Sequence, residues 1–73
     1  MTNHINPDDP HAAEAMLAHL RSLLPSDVAI RVDHDTEAPL PWAVWCDDEI
    51  TGAGWTRCAA LSDALLTAAN WAL

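Results

Sequence analysis

The chain has 73 residues with eleven acids, three arginines and no lysine, which gives a formal net charge of −8. Chains of this length form one domain with a modest core, and charge of this sign disfavours direct binding to nucleic-acid phosphates or to anionic membranes. The hydrophobic content of 51%, with four tryptophans, indicates an ordered globule rather than a disordered acidic tail. We therefore expect one domain over 1–73 and a basic partner. The competing interpretation is that the acids only keep the protein soluble.

The first helix is predicted to follow a flexible N-terminus at 1–8. Asp9 has the residue type of an N-cap, and Pro10 suits the first helical position. Apolar residues then recur at helical spacing, at Ala13, Met16, Leu17, Leu20, Leu23 and Leu24. Pro25 should end this helix, because its ring disfavours α geometry for the residue before it.

Three segments in the middle of the chain are predicted to form antiparallel strands. Residues 28–35 alternate between apolar and polar, so one face would present Val28, Ile30 and Val32 to the core. A second strand over 42–47 adds Trp42, Val44 and Cys46 to that core, and leaves Trp45 pointing outward without cover. A third strand at 50–55 contains Gly52 and Gly54, which suggest a bulge or the close approach of another backbone.

A second helix is predicted from the N-cap Thr56 to the end of the chain. Its expected buried stripe is Cys58, Leu61, Leu65, Ala68, Ala69 and Ala72. Both helices must cover the same apolar face of the sheet, because the other face is polar. The predicted fold is therefore an α+β two-layer sandwich with the order helix, strand, strand, third strand, helix.

Cysteine usage and hydropathy favour a cytoplasmic protein. Cys46 and Cys58 are too few for a disulfide framework, so reduced and mostly buried thiols are expected. The longest nearly apolar run, 58–73, is shorter than the ~20 residues that span a bilayer. The first ten residues do not have the pattern of a secretion signal.

Two resemblances concern topology alone. The order of elements resembles that of the double-stranded-RNA-binding domain, although the basic residues with which that domain grips RNA are missing here. The segment GWTRCAALSDALLTAA, residues 54–69, resembles the strand-to-helix end of small antitoxins of the HicB kind. Neither resemblance assigns a functional residue.

Catalytic and metal chemistry are disfavoured by the spacing of the candidate residues. Asp33, Asp35 and Glu37 match the first, third and fifth positions of a calcium loop, but Ala38 and Val44 stand where an EF-hand needs Gly and Glu. No spacing typical of a zinc site is present, and paired carboxylates need a pocket that a small two-layer sheet rarely offers. We therefore expect no cofactor and no enzymatic activity.

The carboxylates between 31 and 50 are the strongest functional signal. Asp33 and Asp35 share one strand face, about 6.6–7 Å apart, and Glu37 continues the row. A second acidic run, Asp47, Asp48 and Glu49, should lie at the opposite end of the hairpin. Such rows could imitate the phosphates of a duplex, which carries one charge per about 3.4 Å of axis on each strand. The candidate partner-binding residues are Asp33, Asp35, Glu37, Asp47, Asp48, Glu49 and the outward Trp45.

A very short, strongly acidic α/β chain without a catalytic motif resembles small phage or mobile-element proteins, notably anti-CRISPRs. That resemblance implies an inhibitor that mimics DNA and blocks the nucleic-acid site of a basic host defence complex, such as a CRISPR effector. Two alternatives stay open. One is an antitoxin-like module that neutralises a basic toxin, and the other is a phage accessory or structural protein that assembles through Trp45 and Trp71. A homodimer is compatible with each of these.

Overall fold

The computed structural model describes residues 9–71, and the N-terminal segment expected to be flexible, 1–8, lies outside them. Two helices flank three strands, as the sequence predicts. The elements are α1 (Pro10–Leu23), β1 (Ile30–His34), β2 (Trp42–Cys46), β3 (Glu49–Gly54) and α2 (Arg57–Trp71). The fold is α+β, with both helices on one side of an antiparallel sheet.

Local capping sets the helix ends. The Asp9 carboxylate accepts a hydrogen bond from the His11 N–H at 3.0 Å, and Pro10 occupies the first turn. Leu24 is extended because Pro25 follows it, which ends α1 where the sequence indicates. The Thr56 hydroxyl oxygen accepts from the Ala59 N–H at 3.0 Å and so caps α2. These three predicted boundaries are confirmed.

The strands form a meander with the order β1-β2-β3. Val32 pairs with Val44, and Val44 pairs with Gly52, so these positions share the face that the helices cover. The β2–β3 register then shifts, because Thr51 is an extra residue between Gly52 and Ile50. The bulge suggested by the glycines is therefore present.

Helix α2 packs closely against β3 at the two glycines. A Cβ atom on Gly52 would overlap the Ala60 carbonyl oxygen and the Ala64 nitrogen, and a Cβ atom on Gly54 would lie 2.7 Å from the Ala59 Cβ. Side chains larger than hydrogen would push the helix away from the sheet. The predicted close backbone approach is confirmed, and its partner is α2.

The buried stripe of α2 differs from the predicted one. Ala60 and Ala64 are buried, although neither belonged to the predicted stripe, whereas Ala69 is exposed. Cys58 and Leu65 are half-buried, Leu61 and Ala68 are buried as expected, and Ala72 lies outside the described residues. The stripe is rotated because the helix presents its smallest residues to the glycines, and an alanine-rich sequence does not reveal that choice.

One core joins the two layers. The fully buried side chains Leu20, Leu61 and Val44 come from α1, α2 and β2 respectively. Both cysteines are free thiols, with Cys46 buried and Cys58 half-buried. Because both helices pack on the same face of the sheet, the opposite face is uncovered, and that face carries the candidate site.

Candidate functional site

The uncovered side of the sheet has an apolar centre. Trp45 lies beside Arg31 on β1 and beside Ile50 on β3, while Ala43 lies beside Asp33 and Ala53. We call this surface the outer sheet face, defined by Arg31, Asp33, Ala43, Trp45, Ile50 and Ala53. Ile50 is 58% exposed, which is unusual for a large aliphatic side chain in a strand.

The loop between β1 and β2 turns the outer sheet face into a groove. The groove is lined by loop residues Ala38, Pro39, Leu40 and Pro41, by strand residues Ala43, Trp45, Ile50 and Ala53, and by the acids Asp33 and Asp35. The groove has a volume of about 380 Å³. Leu40 is 40% exposed, so the groove contains two exposed aliphatic side chains, Leu40 and Ile50. Neither residue stands out in the sequence as part of a surface, because the groove forms only when the loop folds beside the strands.

Hydrogen bonds within the loop fix the shape of this groove. The Asp35 N–H donates to the Pro41 carbonyl at 2.7 Å, which closes the base of the loop. The Asp35 carboxylate accepts a hydrogen bond from the Glu37 N–H at 3.0 Å. The backbone carbonyl of Asp35 accepts another from the Ala38 N–H at 3.2 Å. Together with the two prolines, these bonds restrict the backbone before any partner binds.

Trp45 faces outward as predicted, but it is half-buried rather than without cover. The Arg31 guanidinium carbon lies 5.0 Å from the centroid of the Trp45 ring, within cation–π range. The same guanidinium lies 3.7 Å from an Asp33 oxygen, and both side chains are more than half exposed. Exposed pairs of this kind contribute little to stability, so Arg31 can change partners when another surface approaches.

The six candidate acids form two groups at opposite ends of the sheet. The loop-end acids are Asp33, Asp35 and Glu37, and the hairpin-end acids are Asp47, Asp48 and Glu49. Asp47 is hydrogen-bonded to Ala29, the residue just before β1. Ala29 is four residues from Asp33, so at the usual strand rise the two acidic groups are about 14 Å apart. The structure thus keeps the two groups separate and places one at each end of the groove-bearing sheet.

Some of these acids also have structural roles. Asp47 adopts the left-handed conformation, with φ 55°, in the tight turn between β2 and β3. Its carboxylate accepts from the Ala29 N–H at 3.1 Å, while its own N–H donates to the Ala29 carbonyl at 2.8 Å. Among residues 9–71, the carboxylates of Glu37, Asp48 and Glu49 form no hydrogen bond or ion pair. These three are the acids most available to a partner.

A second depression of about 430 Å³ lies beside the hairpin-end acids. Leu24, Pro25 and Val28 form one wall, and Trp71 at the end of α2 forms another. Trp71 is 51% exposed. Apolar surface is thus next to carboxylates at this end of the sheet as well.

Trp42 lies on the covered side of the sheet, where it is held by two other side chains. The His34 ring stacks on it with a centroid separation of 4.3 Å, and the Arg57 guanidinium carbon lies 5.7 Å from its ring centroid. Arg57 therefore contributes to packing at the start of α2. Of the three arginines, only Arg31 lies on the outer sheet face.

Neither a metal site nor a membrane segment is found in the part of the chain that the structure describes. Within residues 9–71, no three His, Cys, Asp or Glu side chains are grouped so that they could hold a metal ion. No helix in this range is long and apolar enough to cross a membrane. Comparison with protein-family models, curated proteins and solved structures gives no match for this chain.

Proposed function

We propose that this chain is an inhibitory binding protein, and that its outer sheet face docks on a basic nucleic-acid-binding surface of another protein. The observation that carries this proposal is the outer sheet face, which the helices leave uncovered: it holds a largely apolar groove that Asp33 and Asp35 also line, and the hairpin-end acids lie at the other end of the sheet. The proposed mode of action is DNA mimicry of the anti-CRISPR kind.

The charge of the face argues for a basic partner. The chain carries eleven acids against three arginines, so its field attracts Lys- and Arg-rich surfaces and repels nucleic acid. Of the six acids, Glu37, Asp48 and Glu49 have carboxylates that can accept hydrogen bonds from arginine or lysine without loss of an internal bond. Charge complementarity of this type increases association rates and favours partners whose binding surface is positively charged.

The apolar groove argues for a protein partner with a defined shape. Interfaces have apolar centres surrounded by polar rims, and buried aromatic side chains at the centre contribute much of the affinity. Trp45 and Ile50 lie at the centre of the outer sheet face, and Asp33 and Asp35 line the same groove. A polycation without apolar side chains could pair with the carboxylates but would leave the groove empty.

Occupation of a basic groove by this face would exclude the nucleic acid that normally binds there. No chemical step is needed, since inhibition follows from competition for the same Lys and Arg side chains. The proposed place of action is the cytoplasm of the cell that contains the effector.

Competition with a duplex tests this proposal. A labelled target duplex is bound to each member of a panel of purified CRISPR effector complexes, and the unlabelled chain is then titrated in. We expect the chain to displace the duplex from at least one effector, with a midpoint that rises as duplex concentration rises. Simultaneous binding of chain and duplex to each effector that the chain binds, or binding to none of the panel, would contradict the proposal.

A matched pair of variants tests whether the outer sheet face makes the contact. Ile50→Ser alters the groove, whereas Leu66→Ser alters an exposed leucine on α2; the two residues are 58% and 67% exposed. Surface substitutions of this kind change the free energy of unfolding by about 0.5 kcal/mol or less. We expect Ile50→Ser to weaken effector binding at least tenfold and Leu66→Ser to leave it unchanged. Equal effects of the two would assign the contact to another surface.

A further inference from the structure

The two edges of the sheet differ in how they are protected. At the β3 edge, the Asp63 carboxylate of α2 accepts a hydrogen bond from the Ala53 N–H at 3.1 Å, and the Thr51 bulge interrupts the regular backbone. Both features hinder the addition of another strand. The opposite edge is β1, which pairs with β2 alone in the described part of the chain.

The outward backbone groups of β1 follow from the hydrogen bonds at its two ends. Asp35 bonds to Pro41, and Ala29 bonds to Asp47, so these are hydrogen-bonded pairs of the β1–β2 ladder. Such pairs alternate along an antiparallel ladder. The N–H and C=O groups of Ile30, Val32 and His34 therefore point away from β2, and within residues 9–71 no hydrogen bond is made to them.

Side chains along the same edge are incompletely covered. Ile30 and Val32 belong to the helix-covered face and pack against the core, yet both are only half-buried. On the other face, the side chains of Arg31 and Asp33 are 62% and 54% exposed. The strand thus presents open backbone groups, partly exposed aliphatic side chains and one charge of each sign.

We propose that β1 pairs in antiparallel orientation with β1 of a second copy of this chain, about a twofold axis through Val32. Ile30 would then face His34 of the partner subunit, and Val32 would face the partner's Val32. Because the outward groups of each strand belong to these same residues, each facing pair exchanges two backbone hydrogen bonds. The two three-stranded sheets become one continuous sheet with the β1 strands at its centre.

Charge complementarity selects this register. With the axis through Val32, Arg31 lies opposite the partner's Asp33, and Asp33 lies opposite the partner's Arg31. A shift of the partner strand by two residues in one direction brings the two Arg31 side chains face to face, and a shift in the other direction does the same for Asp33. A shift by one residue would turn the apolar side chains to the wrong face. Only the proposed register avoids like charges directly opposite one another.

The association does not depend on the proposed inhibitory function, because its backbone hydrogen bonds use the β1 edge; of the paired residues, Asp33 also lines the groove. It would place the two outer sheet faces side by side. The antiparallel arrangement would also bring the loop-end acids of one copy and the hairpin-end acids of the other to the same side of the joined sheet. Two copies of net charge −8 repel each other at low salt, so association should strengthen from about 0.05 to 0.5 M ionic strength as the repulsion is screened.

Charge reversal across the axis tests the pairing. Arg31→Asp places like negative charges opposite each other at both symmetric positions, and Asp33→Arg does the same with positive charges. Sedimentation equilibrium at about 0.5 M salt should show a dimer for the unmodified chain and at least tenfold weaker association for each single variant. The control is Asp48→Arg, which reverses a charge on the same sheet at the hairpin turn and should leave the dimer intact.

Two combinations of these substitutions distinguish loss of the interface from failure to fold. An equimolar mixture of the Arg31→Asp and Asp33→Arg chains places two aspartates of one chain opposite two arginines of the other, so native mass spectrometry should show a heterodimer. The chain with both substitutions should form a homodimer again. The proposal is overturned if the unmodified chain is monomeric at about 1 mM. It is also overturned if single reversals leave the dimer unchanged, or if neither combination associates.

Discussion

The contact between α2 and the β3 glycines provides the most quantitative test of the fold. In Gly52→Ala, the new Cβ atom would overlap the Ala60 carbonyl oxygen and the Ala64 nitrogen, and it would lie 2.9 Å from the Ala64 Cα atom. All three are backbone atoms, so no side-chain rotation can relieve the overlap. The helix has to move away from the sheet, and the core around Val44 and Leu61 has to loosen with it.

The expected cost follows from these contacts. Overpacked substitutions destabilise by about 1–3 kcal/mol, and a clash with rigid backbone belongs at the upper end of that range. Loss of glycine entropy in the unfolded chain offsets about 0.4–1 kcal/mol. The net loss is therefore about 2–2.6 kcal/mol, a large part of the roughly 4–11 kcal/mol typical of a domain of this size. The corresponding fall in Tm is about 8–21 °C.

Urea and thermal unfolding followed by circular dichroism measure this loss. The matched control is Ala53→Val, which enlarges the next residue of the same strand on the opposite face and should change the free energy of unfolding by about 0.5 kcal/mol or less. Ala60→Gly should not rescue Gly52→Ala, because the contacting oxygen belongs to the backbone. A Gly52→Ala chain as stable as the unmodified protein would refute the close packing of α2 on β3.

Two further predictions concern acids with structural roles. Asp47→Ala should lower the free energy of unfolding, measured by urea titration, by about 1–3 kcal/mol, because it removes the hydrogen bond from the Ala29 N–H and places alanine in a left-handed turn. Asp47→Asn keeps an acceptor and should lower the free energy of unfolding by less than half as much. Asp63→Ala should cost about 1 kcal/mol and speed hydrogen exchange at Ala53, and unchanged exchange there would argue against an edge protected by α2.

Local sequence signals were sufficient for the helix ends and for the faces of β1 and β2. Asp9, Thr56 and Pro25 act on backbone atoms within a few residues, so their effects can be inferred without tertiary structure. The alternation over 30–34 and 42–46 likewise identifies the covered face of each strand. The glycine pattern indicated a close approach, although it did not identify the partner helix.

Features that join distant parts of the chain could not be predicted in the same way. Helix α2 has apolar residues on several sides, so its hydrophobic periodicity is weak and the Ala60–Ala64 face was missed. Leu40 completes the groove because the β1–β2 loop folds beside the outer sheet face. The bonds from Asp47 to Ala29 and from Ala53 to Asp63 span 18 and 10 residues, so acids that look uncompensated in the sequence have structural partners.

The dependence of effector affinity on salt tests the central claim most directly, namely that the carboxylates of the outer sheet replace nucleic-acid phosphates. The amide variant combines Asp33→Asn, Asp35→Asn and Glu37→Gln. It should fold normally, because the amide oxygen at position 35 can still accept from the Glu37 N–H, and the exposed ion pair at Asp33 contributes little.

Affinity for the effector identified by duplex competition is measured by fluorescence titration between about 0.05 and 0.5 M ionic strength, a range over which the Debye length falls several-fold. The unmodified chain should bind progressively more weakly as salt rises. The amide variant should bind at least tenfold more weakly at low salt and with a shallower salt dependence, while its Tm stays close to that of the unmodified chain. Affinity that is independent of salt, or an amide variant that binds and inhibits like the unmodified chain, would contradict the claim.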